Sequence, residues 1–226
     1  MKYKALLLDI DNTLYSYEYT HQIALNSVID YCKLNFNIDK NSILNAYKIS
    51  RQEINQILIN TASSHNRMLY FQKMLELLDI NSLEHTIYIY ELYWKKFLDN
   101  MIVYDCVYEL CEKYSDNICL ITDLTAHIQH RKIQKLHIQK YCKYVVTSEE
   151  SGIEKPNSKI FEIALQKLDL DKNEVCMIGD SFQKDIMGAC NNNIKSIWLN
   201  SNKELKNYDK TMIKEVESFK DILEYV

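Results

Sequence analysis

Apolar residues run unbroken through Ala5, Leu6, Leu7 and Leu8, and the run stops at Asp9, Ile10, Asp11, Asn12, Thr13 and Leu14. A run without alternation predicts a strand covered on both faces, the kind found inside parallel sheets. From Tyr17 to about Leu98 the period changes. Ile43, Ala46, Tyr47 and Ile49, then Leu69, Met74, Leu75, Leu77 and Leu78, recur at helical spacing, and Asn81 with Ser82 interrupt the pattern before a further helix through Tyr88, Leu92 and Phe97. After Tyr104 helix and strand alternate. Val107, Leu110, Cys111 and Tyr114 form a helical stripe, Ile118–Thr122 a strand, residues 128–136 a helix, and Tyr144–Thr147 a short strand. Ile160, Phe161, Ala164, Leu165 and Leu168 line another helix, Val175–Gly179 is a strand, residues 186–190 are helical, and 196–199 is the last strand. Such alternation predicts an α/β fold, a doubly wound parallel sheet with right-handed crossovers. Residues 1–15 and 100–226 make this core, and residues 16–99 are an all-helical insert.

Composition narrows the class. With 226 residues and 47% apolar content the chain can bury one sizeable core and a smaller lobe. Charges of both signs are spread along it, and a net charge of −4 gives no field to attract nucleic acid or an anionic membrane. No apolar stretch has the length of a membrane span and the amino terminus lacks a signal-peptide pattern, so a cytoplasmic protein, monomer or homodimer, is expected. The seven cysteines contain no Cys-x-x-Cys pair and read as reduced, mostly core residues. His127 and His130 stand on one helical face without a third ligand nearby, which argues against a metal there.

The strand ends carry the chemistry, because in such a sheet they converge on one edge. The first contributes Asp9 and Asp11, the second Thr122 and Asp123. The third leads through Glu149, Glu150, Ser151 and Gly152 to Lys155 and Pro156, with the lysine expected at a helix start. The fourth contributes Gly179, Asp180 and Ser181, followed by Asp185. Two acids one residue apart repel unless one is protonated or a cation is present. Acids on two strands, a hydroxyl and a lysine suit a phosphate group beside a divalent cation.

Asp9-x-Asp11-x-Thr13, Thr122, Lys155-Pro156 and Gly179-Asp180-Ser181-x3-Asp185 resemble, in order, the four motifs of the haloacid dehalogenase superfamily. The helical insert after the first motif is similar to that superfamily's C1-type cap, so the resemblance covers nearly the whole chain. The runs 122–124 and 148–156 look most like the C1-capped small-molecule phosphatases that include nucleotidases and acylneuraminate phosphatases. The resemblance implies a Mg²⁺-dependent phosphomonoesterase. Asp9 would be the nucleophile that forms an aspartyl-phosphate, and Asp11 the acid and base, holding its proton near neutral pH beside other negative charge. Thr122 and Lys155 would hold the phosphoryl oxygens. The metal would be held by Asp9, Asp180 and the backbone carbonyl of Asp11, with Asp185 orienting Lys155 or a water at the metal. Asp123 stands where many members carry Asn, a change of little consequence if its backbone amide does the work.

A dehalogenase of this fold uses neither metal nor a second acid, so Asp11 and Asp180 argue against one. A receiver-like signalling module would not carry a long insert after its first motif. A phosphomutase of the same fold stays open. The insert must choose the leaving group and exclude water on closing, which favours a compact soluble ester such as a sugar, polyol, amino-alcohol or nucleoside monophosphate. His65 and Arg67, in the polar stretch Ser64-His65-Asn66-Arg67 that opens a helix, are the expected leaving-group contacts, against the alternative of a capped, solvated helix start. Asn12, Tyr15 and Asp123, next to the first two motifs, complete the substrate-binding set.

Overall fold

A computed structural model describes residues 2–226. The chain divides into two compact units, Met1–Ser16 with Ile102–Val226, and Tyr17–Met101.

The first unit is built on a six-stranded, wholly parallel sheet in the order β3-β2-β1-β4-β5-β6. Its strands are β1 (Ala5–Leu8), β2 (Ile118–Thr122), β3 (Tyr144–Thr147), β4 (Val175–Gly179), β5 (Lys195–Leu199) and β6 (Ile213–Val216). β1 lies in the middle because every one of its residues is apolar and fully buried. Each of its three leucines contributes about 2 kcal/mol by leaving water. One face is filled by Ala5, Leu7, Cys119, Ile121, Val175 and Met177 packed with Ile160, Phe161 and Ala164 of the helix Ser158–Leu168. The alternating core was legible, but β6 falls beyond the expected last strand. Its sequence Ile-Lys-Glu-Val has only two buried positions, as an edge strand allows, and so carries no apolar run.

The chain passes from β1 to β2 on one side and returns to β4 on the other, so β1 and β4 flank the point where the winding reverses. Ligands of open α/β sheets sit in the crevice at the carboxyl ends of such a strand pair. Leu8 pairs with Ile178, and the Asp9 N–H donates to the Ile178 carbonyl at 3.0 Å, which sets Asp9 level with the end of β4.

The second unit is helical: α1 (Tyr17–Phe36), α2 (Lys40–Ile57), α3 (Arg67–Leu77) and α4 (Ser82–Asp99), with a 3-10 turn at Ala62–His65. Asp39, Asn66 and Asn81 cap α2, α3 and α4 by accepting backbone N–H groups. No helix among the described residues is long and apolar enough to cross a membrane. Of the seven thiols, Cys32, Cys111, Cys119 and Cys176 are buried and Cys106, Cys142 and Cys190 are half-buried.

Candidate active site

Asp9 follows β1 directly and is buried. Asn12, three residues on, takes φ +61°, a left-handed conformation that Asn accepts better than most residues, and Leu14 N–H closes a helical turn onto the Ile10 carbonyl at 3.0 Å. This turn folds Thr13 back, so that its hydroxyl donates to Asp9 Oδ2 at 2.9 Å and reaches Asp180 Oδ1 at 3.4 Å. Lys155 Nζ, also buried, donates to Asp9 Oδ1 at 2.6 Å, Asp185 Oδ1 at 2.7 Å and the Ile121 carbonyl at 3.1 Å. The other Asp185 oxygen accepts the Ser181 N–H at 3.0 Å. Gly179 leaves the space for this: a Cβ there would stand 2.5 Å from the Asp185 carboxyl carbon. Thus the structure brings together Asp9, Lys155, Asp180 and Asp185, drawn from three strand ends.

Lys155 is not on a helix, as had been expected. The helix starts at Ser158 with Asn157 as its cap, and the loop before it is held by Asp123, whose Oδ1 accepts the Lys155 N–H at 3.0 Å. Asp123 Oδ2 accepts Lys184 Nζ at 2.9 Å, and Lys184 pairs with Glu154 at the same distance. The Asp123 side chain therefore has a task of its own, a contribution that attention to its backbone amide missed.

Asp11 departs further from expectation. Lys132 Nζ, fully buried on the helix Ala126–Lys135, meets both of its oxygens at 2.8 and 2.7 Å, and the Tyr15 hydroxyl donates to it as well. Burial alone would raise the Asp11 pKa, but Lys132 outweighs it and holds the carboxyl below its ordinary value. The expected proton at neutral pH is thus absent in this arrangement. Tyr15 is fully buried, so its phenol is engaged by the acid and does not lie open to a leaving group. Gln129, on the same helix, donates from Nε2 to Thr122 Oγ1 at 2.7 Å and to the Asp123 carbonyl at 2.6 Å. Neither Gln129 nor Lys132 had been singled out. The available signal was two polar residues three apart, on the inward face shared with Ile128 and Ile133.

The carboxylates of Asp9, Asp180 and Asp185 lie with oxygens within 4.8 Å of one another. Burial first, then the neighbouring carboxylates, push Asp9 up to about 7 and Asp180 up to about 8, with Lys155 opposing both. With all three acids ionised, one ammonium would leave two negative charges unbalanced, the charge of a divalent cation that would take the place of their protons. An all-oxygen donor set suits a hard ion such as Mg²⁺, so the residues present fit the expected metal.

In the helical unit His65 is half-buried and ends the 3-10 turn. Asn66 caps α3 as the capped-helix alternative required, yet Arg67 is buried, so the helix start is not solvated.

A family model for haloacid dehalogenase-like hydrolases matches residues 6–199. The chain belongs to this family. A ribulose-1,5-bisphosphate 5-phosphatase from Halopiger xanaduensis is 34% identical over 82% of the chain and 80% of its own length. A pyrimidine 5'-nucleotidase, PynA of Streptococcus pneumoniae, is 28% identical over 99% of the chain and 95% of its own. Among solved structures, the HAD-hydrolase YfnB from Bacillus subtilis superposes with a TM-score of 0.74 at 17% identity, over 100% of this chain and 99% of that one, a likeness of fold.

Proposed function

We propose that this haloacid dehalogenase-like hydrolase is a Mg²⁺-dependent phosphatase of small phosphate monoesters and works through an aspartyl-phosphate on Asp9. The observation that carries the proposal is the trio Asp9, Asp180 and Asp185 around Lys155 at the winding reversal of the sheet. The relatives support the substrate class, since those named above act on a sugar bisphosphate and on nucleotides by their names. A dehalogenase would have no use for the unbalanced pair of charges or for Asp11.

Asp9, Asp180 and the backbone carbonyl of Asp11 would hold the Mg²⁺, which offsets the charge of the phosphate ester against the attacking carboxylate. Thr13 and Lys155 each take one oxygen of Asp9 and fix the direction of the carboxylate. In the first half-reaction an Asp9 oxygen bonds to phosphorus, the ester P–O bond breaks, and the departing alkoxide takes a proton from Asp11. In the second, water attacks phosphorus, the bond to Asp9 breaks, and the water's proton goes to Asp11. Since Lys132 holds Asp11 as a carboxylate, Asp11 has to release that ion pair and take up a proton from solvent water before it can donate to the leaving oxygen. Thr122 and Lys155 steady the phosphoryl oxygens, with Thr122 oriented by Gln129. Choice of leaving group falls to the helical unit, through His65 and Arg67, with Asn12 and Asp123 in the loops beside the phosphoryl group.

The test is phosphate release from alkyl, sugar and nucleoside monophosphates, with and without Mg²⁺, by the native chain and by Asp9→Asn. Turnover that needs Mg²⁺ and drops to background in the variant is expected. Asp9→Asn working at near-native rate, or full turnover in chelator, would overturn the mechanism.

A further inference from the structure

Two consecutive residues beyond β4 act on opposite ends of Lys155. Asp185 accepts its ammonium at 2.7 Å. Lys184 acts on its backbone, through a relay: Nζ donates to Asp123 Oδ2 at 2.9 Å, and Asp123 Oδ1 accepts the Lys155 N–H at 3.0 Å. The same Nζ donates to Glu154, the residue before Lys155, at 2.9 Å. Both Lys184 and Asp185 lie in the π-helical turn Phe182–Ile186, and the Ser181 hydroxyl accepts the Lys184 N–H at 3.3 Å. The side chains that Lys184 meets are more enclosed than its own: Asp123 is 13% exposed and Glu154 7%, against 37% for Lys184. Ion pairs in open water contribute little, but here both acids are largely withdrawn from it. The contact also joins three loops, those that follow β2, β3 and β4.

A carboxylate near the lysine that meets a phosphate competes with that phosphate. The Asp123 charge does reach Lys155: burial works against the Lys155 ammonium, but Asp185, Asp9 and Asp123 outweigh it and hold its pKa well above the ordinary lysine value. Accepting the Lys155 N–H does not require this charge, because an amide oxygen in the same place would accept the same bond. What engages the second Asp123 oxygen is Lys184, which sets a positive charge 2.9 Å from it and so offsets its field at the phosphoryl site.

We propose that Lys184 is a positioning residue for phosphate binding: it fixes the Asp123 carboxylate that holds the Lys155 loop and offsets the charge with which that carboxylate would repel the phosphoryl group. This rests on the phosphatase reading and adds to it a residue that acts through Asp123 and Lys155 without touching the ester.

The experiment measures kcat and KM for a monoester that the native chain turns over and, by calorimetry with Mg²⁺ present, the affinity for inorganic phosphate; urea midpoints report folding. Lys184→Met should raise KM and weaken phosphate binding about tenfold, the scale of one charge-assisted contact. Its kcat should stay within about threefold of native, because repulsion by Asp123 acts on the bound ester and the transition state alike. Lys184→Gln, which keeps a polar side chain, carries the same expectation should Lys184→Met fold poorly. Lys184→Arg keeps the cation and should remain within about threefold of native in both quantities. The decisive variant combines Lys184→Met with Asp123→Asn. It has the same net charge in this trio as the native chain and keeps an oxygen for the Lys155 N–H, so KM and phosphate affinity should return to within about threefold of native. A merely structural ion pair would lower the urea midpoint without that recovery. Native KM and phosphate affinity in Lys184→Met and Lys184→Gln, or a double variant no better than Lys184→Met, overturns the inference and leaves the phosphatase reading standing. Phosphate affinity lost in Lys184→Met and regained in the double variant, with no ester turned over, supports the inference and sinks the phosphatase reading. A native chain that neither binds phosphate nor turns over an ester overturns both.

Discussion

Replacing Gly179 by Ala puts one methyl group where the structure has no room for it. The new Cβ would lie 2.5 Å from both Cγ and Oδ2 of Asp185 and 2.6 Å from its Cβ. Asp185 cannot swing aside freely, since one oxygen is held by Lys155 Nζ at 2.7 Å and the other by the Ser181 N–H at 3.0 Å. Overpacking of this kind costs about 1–3 kcal/mol. If Asp185 yields, weakening of its two charge-assisted hydrogen bonds adds about 1.5–3 kcal/mol. The expected loss is about 2.5–6 kcal/mol, a large share of the roughly 5–15 kcal/mol that holds a domain folded. Activity should suffer as well, because Asp185 is one of the groups that hold Lys155 2.6 Å from Asp9, and a misplacement near 1 Å can cost about a hundredfold. Gly152→Ala is the control. Its φ of +77° imposes about 1–2 kcal/mol of backbone strain, but its Cβ would meet only Lys159 Nζ, at 3.9 Å. Urea unfolding and phosphate release measured on both variants separate the two costs. Gly179→Ala within about 0.5 kcal/mol of the native chain, or no less active than Gly152→Ala, would refute the reasoning.

Lys132→Met should destabilise the core by about 1–3 kcal/mol at pH 7, a range discounted because the Asp11 side chain is 29% exposed. Since Lys132 lowers the Asp11 pKa, the stabilisation is present above the ordinary carboxylate range and disappears as pH falls through it, so native and variant should converge in acid. Equal unfolding midpoints at pH 7 would count against the pair. His21, depressed to about 3, is neutral in the fold, whereas in the unfolded chain it takes up a proton below about pH 6.5. Its share of stability is therefore complete above that pH and declines by about 1.4 kcal/mol per unit below it, or about 2 kcal/mol by pH 5. His21→Gln should flatten that acid slope in denaturant titrations, and an unchanged slope would place the acid sensitivity elsewhere.

The sequence by itself was enough for what depends on neighbours along the chain: the buried apolar strands, the helical insert, and the acids, hydroxyl and lysine at the strand ends. A run such as Ala5–Leu8 can be read directly because full burial on both faces demands apolar residues at every position. Edge strand β6, with half its residues in water, left no such trace. Tertiary structure alone decided which groups meet. Thr13 and Asp180 are separated by 167 positions, Asp9 and Lys155 by 146, and Asp11 and Lys132 by 121. The charge state of Asp11 shows why this matters. Its sequence neighbourhood holds another acid, which favours a bound proton, but a buried ammonium at 2.7 Å acts more strongly than a carboxylate farther away and reverses the outcome. Arg67 is the same case in the helical unit: on the helix surface it would be one solvated charge among many, and only the tertiary structure encloses it among tyrosines with its Nε unsatisfied.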